Sequence, residues 1–180
     1  MKVRKGLFVA AAIAVGLFCG ACSQSSPSPA GPSAPAAGTA HQPSAPQPVP
    51  FRGNLEGTQT RTPLQPPFAS VNGSGSGNAT HLGQYSAVFP HIVNLATRIG
   101  QGTYTFTAAD GSTVTANFTG QAQGGPAVVS IEETATITGG TGRFANATGS
   151  FVVQRTFEPA TGRTEGSFDG TITVADGGKQ

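Results

Sequence analysis

Glu133 and Arg155 are the two residues of this chain whose types and placement could do chemistry inside a folded domain. Each stands in an alternating segment: Glu133 with Val129, Ile131, Ala135 and Ile137, and Arg155 with Phe151, Val153 and Phe157. Residues two apart share one face of a strand, so strict alternation turns both ionisable groups toward the apolar side. An acid and a guanidinium meeting there could orient a polar group of a bound molecule or polarise a carbonyl. Against this stands a plainer expectation, that a bulge turns one of them to solvent or that both sit at a rim as an ordinary ion pair. Tyr104 and Phe106, two apart in another alternating segment, could line a ligand cavity, although such aromatics also serve simply as core.

Other chemistry finds little support. His41, His81 and His91 have no metal-ligand spacing, and no Gly-x-Ser-x-Gly elbow occurs, so neither a metal, a cofactor nor a catalytic residue is expected. His81 lies beside Gly83 with no carboxylate near it in sequence and reads as a strand-end residue. The glycines at alternate positions from Gly73 to Gly77 are followed by neither a helical pattern nor a lysine. They therefore suit a tightly bending strand better than a phosphate loop.

The cysteines belong to a different part of the chain. Met1 to Lys5 is a positive segment, and Leu7 to Phe18 is an apolar run of signal-peptide rather than membrane-span length. Cys19-Gly20-Ala21-Cys22-Ser23 follows, and it resembles a bacterial lipobox in which cleavage precedes Cys22 and its thiol receives a diacylglyceryl group. Cys19 stands where leucine is commonest in that motif. A redox or metal Cys-x-x-Cys lacks a supporting strand, helix or histidine here, and a disulfide-bonded secreted protein should show an A-x-A-like cleavage site. The expectation is a signal peptide over 1–21 and a lipid anchor on Cys22. Ser23 after the cysteine resembles the pattern of lipoproteins sorted to the outer membrane, facing the periplasm.

Residues 22–50 then hold eight of the 14 prolines and no charged side chain. Such a segment cannot bury enough surface to offset its ordering entropy and is expected to be a disordered tether. Without Lys2, Arg4 and Lys5 the chain has seven basic against eight acidic residues, close to neutral. With no basic cluster there is no electrostatic footprint for nucleic acid, and none is expected as a partner.

The domain that must position Glu133 and Arg155 occupies 51–177. Its 26 glycines chain-wide, recurrent threonines and absence of tryptophan suit an all-β fold. Segments of alternating character run over 51–60, 69–80, 81–89, 101–109, 127–138, 150–158 and 163–174, and Asp110-Gly111 is the strongest hairpin signal, with Val114, Ala116 and Phe118 continuing inward on its partner strand. Loops are expected over 61–67, 121–126 and 159–162, where Pro and Gly gather. Between Ile137 and Phe151, the glycines Gly139, Gly140, Gly142 and Gly149 surround Phe144 and predict a sharp strand-to-strand joint rather than a helix. About eight strands fit a sandwich or a barrel, and eight is the number whose closed interior just holds side chains or one small ligand.

Particular stretches carry a resemblance. Gly75-Ser76-Gly77 leading into Thr80-His81-Leu82-Gly83, then Tyr104 to Gly111, then Gly139-Gly140-Thr141-Gly142-Arg143-Phe144 with Ala147 and Gly149, resemble the allene oxide cyclase-like and dirigent-like barrel superfamily. The similarity is greatest to its bacterial secreted members of unassigned activity and covers about 51–174. It implies an eight-stranded antiparallel β-barrel, often trimeric in plant members, with a cavity for a small hydrophobic molecule. The plant enzymes' catalytic residues have no counterparts that can be matched here. The expectation is a lipid-anchored binding or structural module, with an isomerase or cyclase as the alternative and a homo-oligomer left open.

Overall fold

The computed structural model describes residues 45–174. The expected signal peptide, Cys22, the tether up to residue 44 and residues 175–177 lie outside the described residues. The strands are β1 (Val49–Pro63), β2 (Phe68–Ala79), β3 (Gly83–Val88), β4 (His91–Asn94), β5 (Ile99–Ala108), β6 (Thr113–Gly124), β7 (Val129–Gly140), β8 (Thr148–Glu158) and β9 (Arg163–Thr173). All pairings are antiparallel, and β1 pairs with both β9 and β2, which closes the sheet on itself. β3 and β4 each pair with β2 on one side and β5 on the other, so the nine strands form eight staves. The expected all-β, eight-stranded barrel is the fold observed.

The shared stave is where local sequence misleads. Pro90 has no N–H to give a ladder and reads as the end of a strand. Here the pairing is carried past it, because Phe89 N–H donates to Gly73 O (2.9 Å) and Thr103 N–H donates to Pro90 O (3.2 Å). β4, which the sequence pattern did not reveal, continues the stave beyond the proline. Two expected loops are also shorter than anticipated. β1 pairs with β2 through Arg61↔Val71 to Pro63↔Ala69, and β6 pairs with β7 through Gln121↔Glu132 to Gly124↔Val129. β1 also begins at Val49, two residues before the expected domain boundary. Val49 is at the end of the glycine joint, whereas the length gained in place of the two loops lies at the other end of the barrel, where the turns 64–67, 95–98, 125–128 and 159–162 gather.

The opposite end is plugged. Phe144 and Leu82 are buried there and belong to the same apolar cluster as Phe51, Tyr85, Phe106, Phe151 and Phe168. The rings meet edge to face, as between Phe51 and Phe106 (centroids 6.1 Å apart, planes at 90°) and between Phe51 and Phe151 (5.4 Å, 67°). Such pairs add about 0.5–1.5 kcal/mol each beyond burial. The glycine joint delivers Phe144 through one turn of 3-10 helix, Gly142–Phe144, a short helical element that the expected strand-to-strand joint did not include. Gly142 has φ +57, and Gly140 lies so close to β6 that a β-carbon would fall 2.0 Å from Thr113 O.

That approach makes Gly140 a sensitive position. Gly140→Ala is expected to lower stability by about 1–3 kcal/mol, the range for forced overpacking. Gly125→Ala, at a turn glycine with nothing within 4 Å of the added carbon, is expected to change it by less than about 0.5 kcal/mol. Urea midpoints of the two variants against the parent check the contrast.

Candidate functional site

Glu133 and Arg155 meet inside the barrel. Register decides this: Glu133 lies opposite Val153 and Arg155 opposite Ile131, so the two are diagonal neighbours on the inner face of β7 and β8. Long side chains span that diagonal. A bulge does occur in β7, where Thr115 faces Gly139 and Ala116 faces Ile137, but it falls between Glu133 and the joint. Between β7 and β8 the register is continuous from Val129↔Phe157 to Ile137↔Gly149, and both residues lie within it. The plainer expectation of a solvent-turned or rim-exposed pair is corrected, with Glu133 2% and Arg155 3% exposed. Across β6, Gly120 pairs with Glu133, and a β-carbon there would sit 2.3 Å from the glutamate Cγ. The glycine provides the room that the acid fills.

The contact is bidentate, the strong form of a charge-assisted hydrogen bond. Arg155 Nη2 donates to Glu133 Oε1 (2.7 Å), and Nε donates to Oε2 (3.1 Å). Nη1 donates to Gln59 Oε1 (2.9 Å) and to Thr164 Oγ1 (3.1 Å). Thr164 Oγ1 donates onward to Thr156 O (2.7 Å), and Tyr104 Oη donates to Glu133 Oε2 (2.5 Å). The guanidinium also lies 5.3 Å from the Phe89 ring centroid. Burial alone would lower the Arg155 pKa, but the Glu133 charge and hydrogen bonds outweigh it and raise the value above ordinary. Tyr104 is raised well above a normal phenol, first by burial and then by the Glu133 charge, so it stays a donor.

Above this network the barrel is open. A cup of about 540 Å³ occupies the turn-bearing end, within the range of small-molecule sites. Its wall includes Val71, Val93, Ala122, Ile131 and Phe157, with Arg61 and Arg98 also lining it. Its floor is Gln59 and His91, both buried. None of the four side chains considered from sequence as ligand-lining is on this wall. Tyr104, Glu133 and Arg155 form the layer that supports Gln59, and Phe106 lies in the aromatic cluster, stacked on Tyr104 at 5.4 Å. His81, by contrast, is exposed in the turn between β2 and β3 with φ +65.

Sequence reasoning missed Gln59 and His91 because neither stands in a motif. The available signal was phase alone: Gln59 follows Phe51, Gly53, Leu55 and Gly57 on the inward face of β1. His91 Nδ1 lies 2.9 Å from Phe89 O, and because a carbonyl only accepts, Nδ1 carries the hydrogen. Burial lowers the His91 pKa first; the Phe89 carbonyl and Glu133 oppose this, while Arg155 adds to it. The ring is held neutral, with Nε2 an acceptor. Among the described residues every buried side-chain nitrogen and oxygen has a partner. Neither His91 Nε2 nor Gln59 Nε2 has a hydrogen-bond partner among them, so both atoms must be accessible, and the cup is the space that the two residues share. The floor thus offers one acceptor and one donor.

Two outcomes follow from this geometry. Glu133→Gln leaves a buried guanidinium uncompensated and is expected to cost about 3–5 kcal/mol in urea unfolding, whereas Glu133→Leu with Arg155→Leu should recover much of that loss. For His91, the unfolded chain takes up a proton near pH 6.5 while the folded one resists it. Stability from this group is therefore complete above about pH 6.5 and is lost as pH falls below it. The melting temperature should drop more steeply between pH 7 and 5 in the parent than in His91→Phe; parallel curves would remove the assignment.

Among solved structures, the chain is similar to a pterocarpan synthase dirigent protein, at 12% identity and a TM-score of 0.52, with 77% of this chain and 98% of that chain covered. No family model and no curated protein matches the sequence. The likeness is one of fold, and the chain folds as a dirigent-like, closed eight-stave β-barrel.

Proposed function

We propose that this is a lipid-anchored protein of the bacterial cell envelope whose barrel holds a small hydrophobic molecule in the cup at its turn-bearing end. The observation that carries the reading is the division of the interior. One end is packed with aromatic rings, while the other keeps about 540 Å³ open above a floor with all its buried polar atoms partnered. A barrel serving only as a rigid spacer has no need of such a recess. Apolar walls with a few fixed polar groups are the usual make-up of a small-molecule site. The anchor is supported by the basic and apolar N-terminal segments and by Cys22 in its lipobox-like setting. Two or three acyl chains on Cys22 would hold the protein to its membrane, at about 0.8 kcal/mol per buried CH₂.

A second reading, an isomerase or cyclase acting on an apolar substrate in the same cup, draws on His91. A neutral imidazole with its acceptor nitrogen toward the cavity is placed to take a proton from a bound molecule. The binding reading is favoured because the remaining floor group, Gln59, is not titratable and the ion pair beneath is fully engaged with protein partners.

A filled cup should no longer bind. Ala122→Phe, which places a ring on the wall, is expected to weaken uptake of an apolar fluorescent probe at least about tenfold, equivalent to about 1.4 kcal/mol. Val152→Ala, on the outer face, should leave uptake unchanged. Equal titration curves for the parent and Ala122→Phe would place the probe elsewhere. Mass analysis of the mature N-terminus tests the anchor: a diacylglyceryl mass on Cys22, absent from Cys22→Ser, is the expected result.

A further inference from the structure

The described part of the chain contains six arginines, and their pairing is uneven. Arg52 pairs with Asp169, Arg143 with Asp110, Arg155 with Glu133 and Arg163 with Glu165. Arg61 and Arg98 have no carboxylate partner among the described residues, and these two both line the cup. No aspartate or glutamate lines it with them.

Their positions explain the convergence. Arg61 follows Gln59 by two on β1 and so keeps the inward phase, one step nearer the mouth. Its side chain makes no hydrogen bond to any described residue and stays exposed. Arg98 sits in the turn between β4 and β5 with φ +59, an unusual backbone state for a residue with a side chain. Its Nη1 donates to Gly124 O (2.8 Å), which brings the guanidinium toward the turn between β6 and β7. A carbonyl contact does not neutralise the charge. Two uncompensated cations therefore stand beside an apolar recess whose wall, at Val71, Val93, Ile131 and Phe157, has nothing to offer a charged group.

We infer that the cup is built for an amphiphilic anion: an apolar body seated in the recess, with a carboxylate or phosphate group held by Arg61 and Arg98. The guanidinium fork matches either oxyanion, and binding one would supply the countercharge that the fold itself leaves out. This inference rests on the proposal that the cup is a binding site, and it adds which class of molecule occupies it.

The test uses the full chain with Cys22→Ser, so that no attached acyl chain competes, and titrates three probes of equal tail length below their micellar concentrations. Dodecanoate and dodecyl phosphate carry the oxyanion, and dodecanol does not. At least one anion is expected to bind about tenfold more tightly than the alcohol, and the better of the two identifies the preferred head group. The preference should shrink severalfold in Arg61→Gln, weaken with added salt, and vanish in the double variant Arg61→Gln with Arg98→Gln. Arg61→Gln is the decisive single variant, because Arg61 makes no side-chain bond whose loss would disturb folding. If all three probes bind alike, or if the preference survives in a folded double variant, the inference is wrong while the cup remains a binding site. If none binds, the underlying proposal falls and this one with it.

Discussion

A charged pair cannot lie inside a small barrel unless every one of its polar atoms is matched, because desolvation of each ion costs several kcal/mol. Glu133 and Arg155 meet that condition through partners on three other strands, Tyr104 on β5, Gln59 on β1 and Thr164 on β9, with Thr164 donating back to the Thr156 carbonyl on β8. The requirement fixes more than the pair. It sets the register of β7 against β8, since a one-residue slip of β8 would turn Arg155 outward and bring Gln154 in, leaving Glu133 buried without its partner. It also requires Gly120 opposite the acid, because a β-carbon at that place would overlap the glutamate.

The same layer separates two environments. Toward the glycine joint, aromatic rings from Phe51, Tyr85, Phe106, Phe151 and Phe168 fill the barrel, and Phe144 closes the end. Toward the long turns, the inward positions carry shorter side chains such as Val71, Val93 and Ala122, which do not reach across the lumen. An eight-stave barrel has an interior about one side-chain layer wide, so large residues fill it and small ones leave a recess. The aromatic rings gathered on one side of the ion pair, against mostly shorter side chains on the other, divide plug from cup.

Much of this was legible in the sequence, and what was missed has a common physical cause. Alternation gave the inward phase of β1, β7, β8 and β9 correctly, including Glu133 and Arg155, and Asp110-Gly111 marked its hairpin. The errors cluster at the turn-bearing end. Pro63 and the Gln/Gly-rich 121–124 read as loop, and Pro90 as a strand end, because proline lacks a donor and glycine lacks packing, yet neighbouring strands supply the missing ladder. Those mistaken loops contain Arg61 and Ala122, and His91 follows the proline read as a strand end, so these residues of the cup were hidden by the same signals that shortened the strands. Whether Glu133 and Arg155 meet was likewise beyond local pattern, since it depends on the register of β7 against β8, which sets Arg155 opposite Ile131.

Stability is a poor reason for such a pair to exist, because well-packed apolar residues in place of a buried ion pair are often neutral or better. What leucines at these positions could not do is orient Gln59. Arg155 Nη1 takes the Gln59 carbonyl oxygen, which leaves the amide NH₂ as the group presented to the cup. Next to it, the Phe89 carbonyl holds the Nδ1 hydrogen of His91 and leaves Nε2 as an acceptor. An apolar layer would free the Gln59 amide to rotate and give the floor no fixed sense. The ion pair is thus better understood as a positioning device than as a stabilising one: its consequence appears one layer above, where a donor and an acceptor are both presented to the cup.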